Sequence, residues 1–224
     1  MDISFERQDP MLRIVARLLV VTTTAAALPG LAAAQGPAFD CARAQGAVET
    51  LICKDAPLAA LDRKLADVYR SASSQARGTL ATWLRQEQRG WVKGRNDCWK
   101  ADGQKTWITA TWTVDSVRGC VDAQYRMRIA ELQALWRLLP PRTVFHVCQD
   151  MPANEVVVDF FATDPPTIRL ERGDRTRTLW RVGAESAGRY EGQNVDIVQQ
   201  GTGLAIRWLD TSTGTTEELQ CRPR

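Results

Sequence analysis

Apolar residues recur in steps of three and four through the first half of the chain. Leu58, Leu61, Leu65, Val68 and Ala72 form one face behind Pro57, which suits a first helical position. A second periodic stretch runs from Leu80 through Leu84, Trp91 and Val92 towards Cys98. A third carries Val121, Tyr125, Ile129, Leu132 and Trp136, and Pro140-Pro141 stops it. Three helices are therefore predicted, with a loop around Asp102-Gly103 between the second and third. From Thr143 the period falls to two. Strands are predicted at 143–149, 155–162, 167–172, 176–182, 195–199, 204–209 and 217–222. They are separated by turn residues at Asp164-Pro165-Pro166, Gly173-Asp174, Gly192-Gln193-Asn194, Gly201-Thr202-Gly203 and Gly214. Seven or eight short strands in so short a stretch read as a small barrel or sandwich.

The predicted fold class is thus α+β in two domains, an all-α helical N-terminal domain over 35–139 followed by a small antiparallel β-barrel over 140–224. The charge distribution shifts at the same place. Residues 35–139 carry 16 Lys+Arg against 11 Asp+Glu, and residues 140–224 carry 10 arginines, no lysine and 12 Asp+Glu. Over the whole chain of 224 residues the formal net charge is only +3, too balanced for a nucleic-acid binder or a polybasic membrane protein.

Residues 1–34 read as a secretory signal. Arg13 and Arg17 precede the apolar Leu18–Ala27 run, and Ala32-Ala33-Ala34 is a small-residue cleavage site before Gln35. The run is short and broken by Pro29-Gly30, so no membrane span is expected once the signal is removed. An exported, periplasmic location follows. In that compartment the six cysteines, Cys41, Cys53, Cys98, Cys120, Cys148 and Cys221, read as a disulfide framework. If each half folds alone, Cys148 pairs with Cys221, and Cys41–Cys53 with Cys98–Cys120 is the most local choice for the rest. Zinc is the weaker alternative, because no Cys-x-x-Cys pair exists and His146 is the one histidine.

That single histidine also limits catalysis. His146 alternates with Phe145 and Val147 on a predicted strand, which is the ordinary setting of a structural residue. Glu217-Glu218 would point to opposite faces of a strand, and Gly201-Thr202-Gly203 lacks the strand-turn-helix context of a phosphate loop. No enzyme, no cofactor and no metal site are expected. Trp99, Trp107 and Trp112 cluster between Cys98 and Cys120. Either they fill a small core beneath a long loop or they are exposed and anchor a protein or glycan partner.

Two ordered sets of residues resemble known families. Phe39-Asp40-Cys41, Val48-Glu49-Thr50-Leu51-Ile52-Cys53, Leu58-Ala59-Ala60-Leu61-Asp62, Gln86–Trp91, Arg95-Asn96-Asp97-Cys98 and Tyr125–Leu132 together resemble the LprI-type lysozyme-inhibitor domain. Asp62 and the Trp91–Arg95 segment are candidates to pair between helices there. Val147-Cys148, Val156–Phe160, Pro166–Leu170, Ser186-Ala187-Gly188-Arg189-Tyr190 and Cys221 resemble the MliC-type inhibitors of c-type lysozyme, which are small antiparallel β-barrels.

The second resemblance implies two loops entering the lysozyme cleft, with Ser186 bonding near a catalytic carboxylate and Gly188, Arg189 and Tyr190 completing the first loop. In the second loop the family has a lysine that pairs with the acid groups. Here Gln200 stands at that position, before Gly201, and no lysine follows Lys105. Gln200 can donate a hydrogen bond but brings no charge, which leaves Arg189 or Arg207 to supply it. A plainer account of Ser186–Tyr190 is a tight loop, with Gly188 serving the backbone, Tyr190 packing inward and Ser186 capping a turn. The function implied is inhibition of c-type lysozyme, the expected partner. The alternative is a non-inhibitory envelope protein that binds another protein or a glycan through the tryptophan loop.

Overall fold

The computed structural model describes residues 35–183 and 188–224. The proposed signal and Ser186 lie outside the described residues. Four helices build the first part: α1 (Gly46–Lys54), α2 (Ala56–Gln75), α3 (Gly78–Asn96) and α4 (Val117–Leu135). The sequence pattern predicts the last three. It misses α1, which is only nine residues long and buries just Val48 and Ile52. Asp55 caps α2 by accepting from the Leu58 N–H at 3.0 Å, and Arg118 of α4 donates to the same carboxylate at 2.7 Å. Ser116 caps α4 through the Gly119 N–H at 3.1 Å. Each such cap contributes about 1 kcal/mol. Leu58, Leu65 and Ala72 of α2 meet Val121, Tyr125, Ile129 and Leu132 of α4 in one core.

The loop between α3 and α4 departs from the all-α expectation. It contains a two-stranded ribbon, β1 (Thr106–Trp107) and β2 (Thr113–Val114). Two disulfides staple this part, Cys41–Cys53 and Cys98–Cys120.

Eight antiparallel strands follow and close into a barrel: β3 (Arg142–Cys148), β4 (Glu155–Phe161), β5 (Thr167–Arg172), β6 (Arg175–Val182), β7 (Arg189–Gly192), β8 (Val195–Gln200), β9 (Gly203–Asp210) and β10 (Thr215–Pro223). Each strand pairs with the next, and β10 returns to β3, where Cys221 faces Cys148 and the two form the third disulfide. Seven of these strands match the alternating stretches of the sequence. The eighth, β7, is four residues long and includes Arg189 and Tyr190, which the sequence reading placed in a loop. Alternate residues such as Val156, Val158, Ile168, Leu170, Ile197 and Ile206 fill the interior. Because the strands run as a meander, the β4–β5, β6–β7 and β8–β9 connections lie at one end with the start of β3, and the others lie at the opposite end.

The helices and the barrel touch along α4. Trp180 Nε1 of β6 donates to the Met127 carbonyl at 3.1 Å. Arg137, just past α4 and in the left-handed region (φ 46°), donates to the buried Asp159 of β4 at 2.7 Å. Arg126 pairs with Asp164 in the β4–β5 loop.

Candidate functional site

Two polar clusters stand out, one in each part of the molecule. In the helices, the Tyr125 hydroxyl donates to Asp62 Oδ1 at 2.7 Å and accepts from Arg95 Nη1 at 2.7 Å. Arg95 also faces Glu49 at 3.5 Å and lies 5.6 Å from the ring centroids of both Trp91 and Tyr125. Asp62 Oδ2 receives the Ala38 N–H at 2.7 Å. The pairing expected between Asp62 and the Trp91–Arg95 segment therefore exists, but through Tyr125. Burial drives the Tyr125 hydroxyl far above its ordinary pKa; the Arg95 charge opposes the shift and the Asp62 charge adds to it. Every polar end in this cluster has a partner, and its groups tie α1, α2, α3 and α4 together. Such a network is a structural device.

At one end of the barrel, described residues of the two candidate motifs approach one another through Gly188 and the β8–β9 hairpin. Gly188 is buried with φ 54°, and its carbonyl accepts from the Gln199 N–H at 3.0 Å. A side chain at 188 would sit 2.9 Å from Gln199 Cβ, so glycine is required both by conformation and by space. This contact sets Gly188 against the strand that leads to Gln200 and Gly201. Gln200 is exposed, and Gly201 turns the hairpin at φ 60°. The Tyr190 ring points into the barrel, edge-on to Phe160 with centroids 6.3 Å apart. Its hydroxyl makes no hydrogen bond among the described residues, and burial raises its pKa while the Arg181 and Arg142 charges hold it down.

Arg189 opens β7 at this end, but its guanidinium, like that of Arg207, is directed along the strands to carboxylates. Arg189 Nε is 3.0 Å from Glu191 and its Nη2 is 3.3 Å from Asp196, while Arg207 Nε is 2.9 Å from the other Asp196 oxygen. Both face the outer wall of the barrel in a ladder already neutralised by two carboxylates. Glu191, nearly fully buried, also accepts the Thr111 N–H at 3.2 Å and so fastens the ribbon loop to β7. A cavity of about 550 Å³ lies at this junction, bounded by Ile108, Met127, Trp180, Arg189, Glu191 and Leu209.

His146 is buried in the barrel. Burial lowers its pKa, the backbone of Val144 and Thr202 acts in the opposite direction, and the Arg142 charge lowers it further. Of the three loop tryptophans, Trp99 and Trp107 are 57% and 62% exposed, each with a lysine over its ring (Lys100 at 5.7 Å, Lys105 at 4.9 Å), and Trp112 is half-buried. Among the described residues no group of His, Cys, Asp and Glu is arranged to hold a metal, and no helix is long and apolar enough to cross a membrane.

Residues the sequence reading did not single out sit beside the motif loops. Arg142 opens β3 and lies over the Phe160 ring at 4.2 Å. Only strand pairing brings the two together, Arg142 opposite Phe160 across β3 and β4. The alternation of the two strands was the available signal.

With this geometry in place, comparison with known proteins gives one match. Residues 41–132 fit the family described as "Lysozyme inhibitor LprI". That stretch runs from the first disulfide to the last turn of α4 and contains Asp62, Tyr125 and Arg95. The barrel carries no family assignment, and no curated protein or solved structure matches the chain.

Proposed function

We propose that the protein is a non-enzymatic, periplasmic inhibitor of c-type lysozyme, with the inhibitory surface at the loop end of the barrel. The observation that supports this reading is the packing of Gly188, two residues after Ser186 in sequence, on Gln199, next to the Gln200-Gly201 hairpin. The lysozyme-inhibitor match of 41–132 supports the target class, and the three disulfides fit an oxidising compartment. Lysozyme acts with two carboxylates in a cleft. Hydrogen-bond donors inserted there occupy the positions substrate needs, and the slightly acidic barrel suits a basic enzyme.

A turbidity assay with cell walls, added c-type lysozyme and the full chain tests this directly. The protein should block clearing and clear nothing alone. By calorimetry, Ser186→Ala should weaken binding roughly 10- to 150-fold, the worth of one charge-assisted hydrogen bond. Gln200→Lys should tighten it and make it more salt-sensitive. If the wild type binds and neither change alters affinity, these loops are not the inhibitory surface.

The exposure of Trp99 and Trp107 favours a second reading, an envelope protein that holds another protein or a glycan by its ribbon loop. An inert result in the turbidity assay, followed by loss of glycan or envelope-protein binding in Trp107→Ala, would select it.

A further inference from the structure

Arg142, exposed at the loop end of the barrel, makes no ion pair among the described residues. Of the ten arginines in 140–224, seven pair with Asp or Glu among the described residues. Arg177 lies 5.5 Å from the Trp208 ring and donates to a backbone carbonyl, on the half of β6 remote from the motif loops. Arg181 sits one strand from Tyr190, opposite it in register. Arg142 differs from all of these. It is exposed, it makes no ion pair among the described residues, and its guanidinium lies over the Phe160 ring.

Its surroundings are those of a receptor, not of a core. The guanidinium lies over the Phe160 ring, which packs at a steep angle to Tyr190, and the Tyr190 hydroxyl at the same end makes no hydrogen bond among the described residues. Stacking fixes the plane of an arginine fork and leaves its in-plane N–H groups free for a carboxylate. The position is also reachable from outside. Arg142 opens β3 and is exposed there. The β4–β5, β6–β7 and β8–β9 connections, including Gln200, gather at that same end.

We infer that Arg142, stacked on Phe160 beside Tyr190, is a lysozyme-contacting residue that places its guanidinium on a carboxylate of the lysozyme cleft. It thereby supplies the positive charge that Gln200 lacks. The inference rests on the reading of the barrel as a lysozyme inhibitor. It goes beyond that reading by moving the cation from the β8–β9 hairpin to the first barrel strand. Arg189 and Arg207 do not fill the role, because Asp196 and Glu191 already hold them on the outer wall.

The test uses the full chain, a c-type lysozyme and calorimetry at two salt concentrations. Arg142→Met keeps an unbranched stem over Phe160 and removes the charge. It should bind roughly 10- to 150-fold more weakly, with a flatter salt dependence. Arg142→Lys should recover part of the loss and restore the salt dependence, and thermal melting should show both variants folded. If Arg142→Met fails to fold, the comparison of Arg142→Lys with Arg142→Gln carries the same information. Against a lysozyme whose cleft carboxylate is amidated, Arg142→Met should cost nothing further, as a double-mutant cycle requires. Wild-type affinity in Arg142→Met, with Ser186→Ala still weakened, overturns this inference and leaves the inhibitor reading standing. No lysozyme binding by the wild type overturns both.

Discussion

The two arginine–aromatic clusters make an instructive pair. Around Arg95 the guanidinium, the Tyr125 hydroxyl and the Asp62 and Glu49 carboxylates satisfy one another inside four helices. Around Arg142 the same ingredients, an arginine, two rings and a tyrosine hydroxyl, lie at the end of the barrel, and no carboxylate among the described residues pairs with the arginine. The chemistry is alike and the difference is closure. A closed cluster spends its hydrogen bonds on the fold, whereas an open one keeps them for a partner. Each cluster contains a sequence-motif tyrosine, so a motif alone does not tell which use is made of it.

The largest effect should come from breaking the closed cluster. Arg95→Leu leaves Asp62 buried and without its cation, and should cost about 3–5 kcal/mol in guanidinium unfolding followed by circular dichroism. A loss under 1 kcal/mol would mean the cluster is not structural. A sharper comparison removes one oxygen from each tyrosine. Tyr125→Phe should cost about 1–3 kcal/mol, because two buried groups lose their common partner. Tyr190→Phe should change stability by no more than about 0.5 kcal/mol. Equal losses would erase the distinction drawn between the two sites.

The smallest effect concerns pH. The folded pKa of His146 lies below its ordinary value, so the unfolded chain binds the extra proton first. The associated stability is complete above the ordinary histidine range and is lost as pH falls through that range towards the folded value. His146→Gln should flatten the melting-temperature profile between about pH 7 and pH 5. An unchanged profile would show that the histidine does not titrate with unfolding.

Much of this was legible in the sequence. α2 and α4 are long and regularly spaced, and seven strands alternate cleanly between turn residues. What escaped was short or non-local. α1 has nine residues, and β7 has four, one of them glycine, so neither shows a period. Asp62 and Arg95 could be suspected of pairing, but the hydroxyl between them comes from Tyr125, in a third helix. The exposure of Trp99 and Trp107 depended on a ribbon of two-residue strands. Arg142 carried no signal of its own; its meaning lies in which carboxylates the other arginines had already taken.

The seam where the barrel closes has a consequence for making and keeping the protein. β3 and β10 meet over three residue pairs, and Cys148 and Cys221 lie 73 positions apart. Contacts of that span form late, because much of the chain must be ordered before they are rewarded. Without the bridge only the short β3–β10 seam would close the barrel, and strand edges freed there would be open to other edges. A preparation kept under reducing conditions should therefore tend towards polymer, and size-exclusion chromatography with and without reductant would show it.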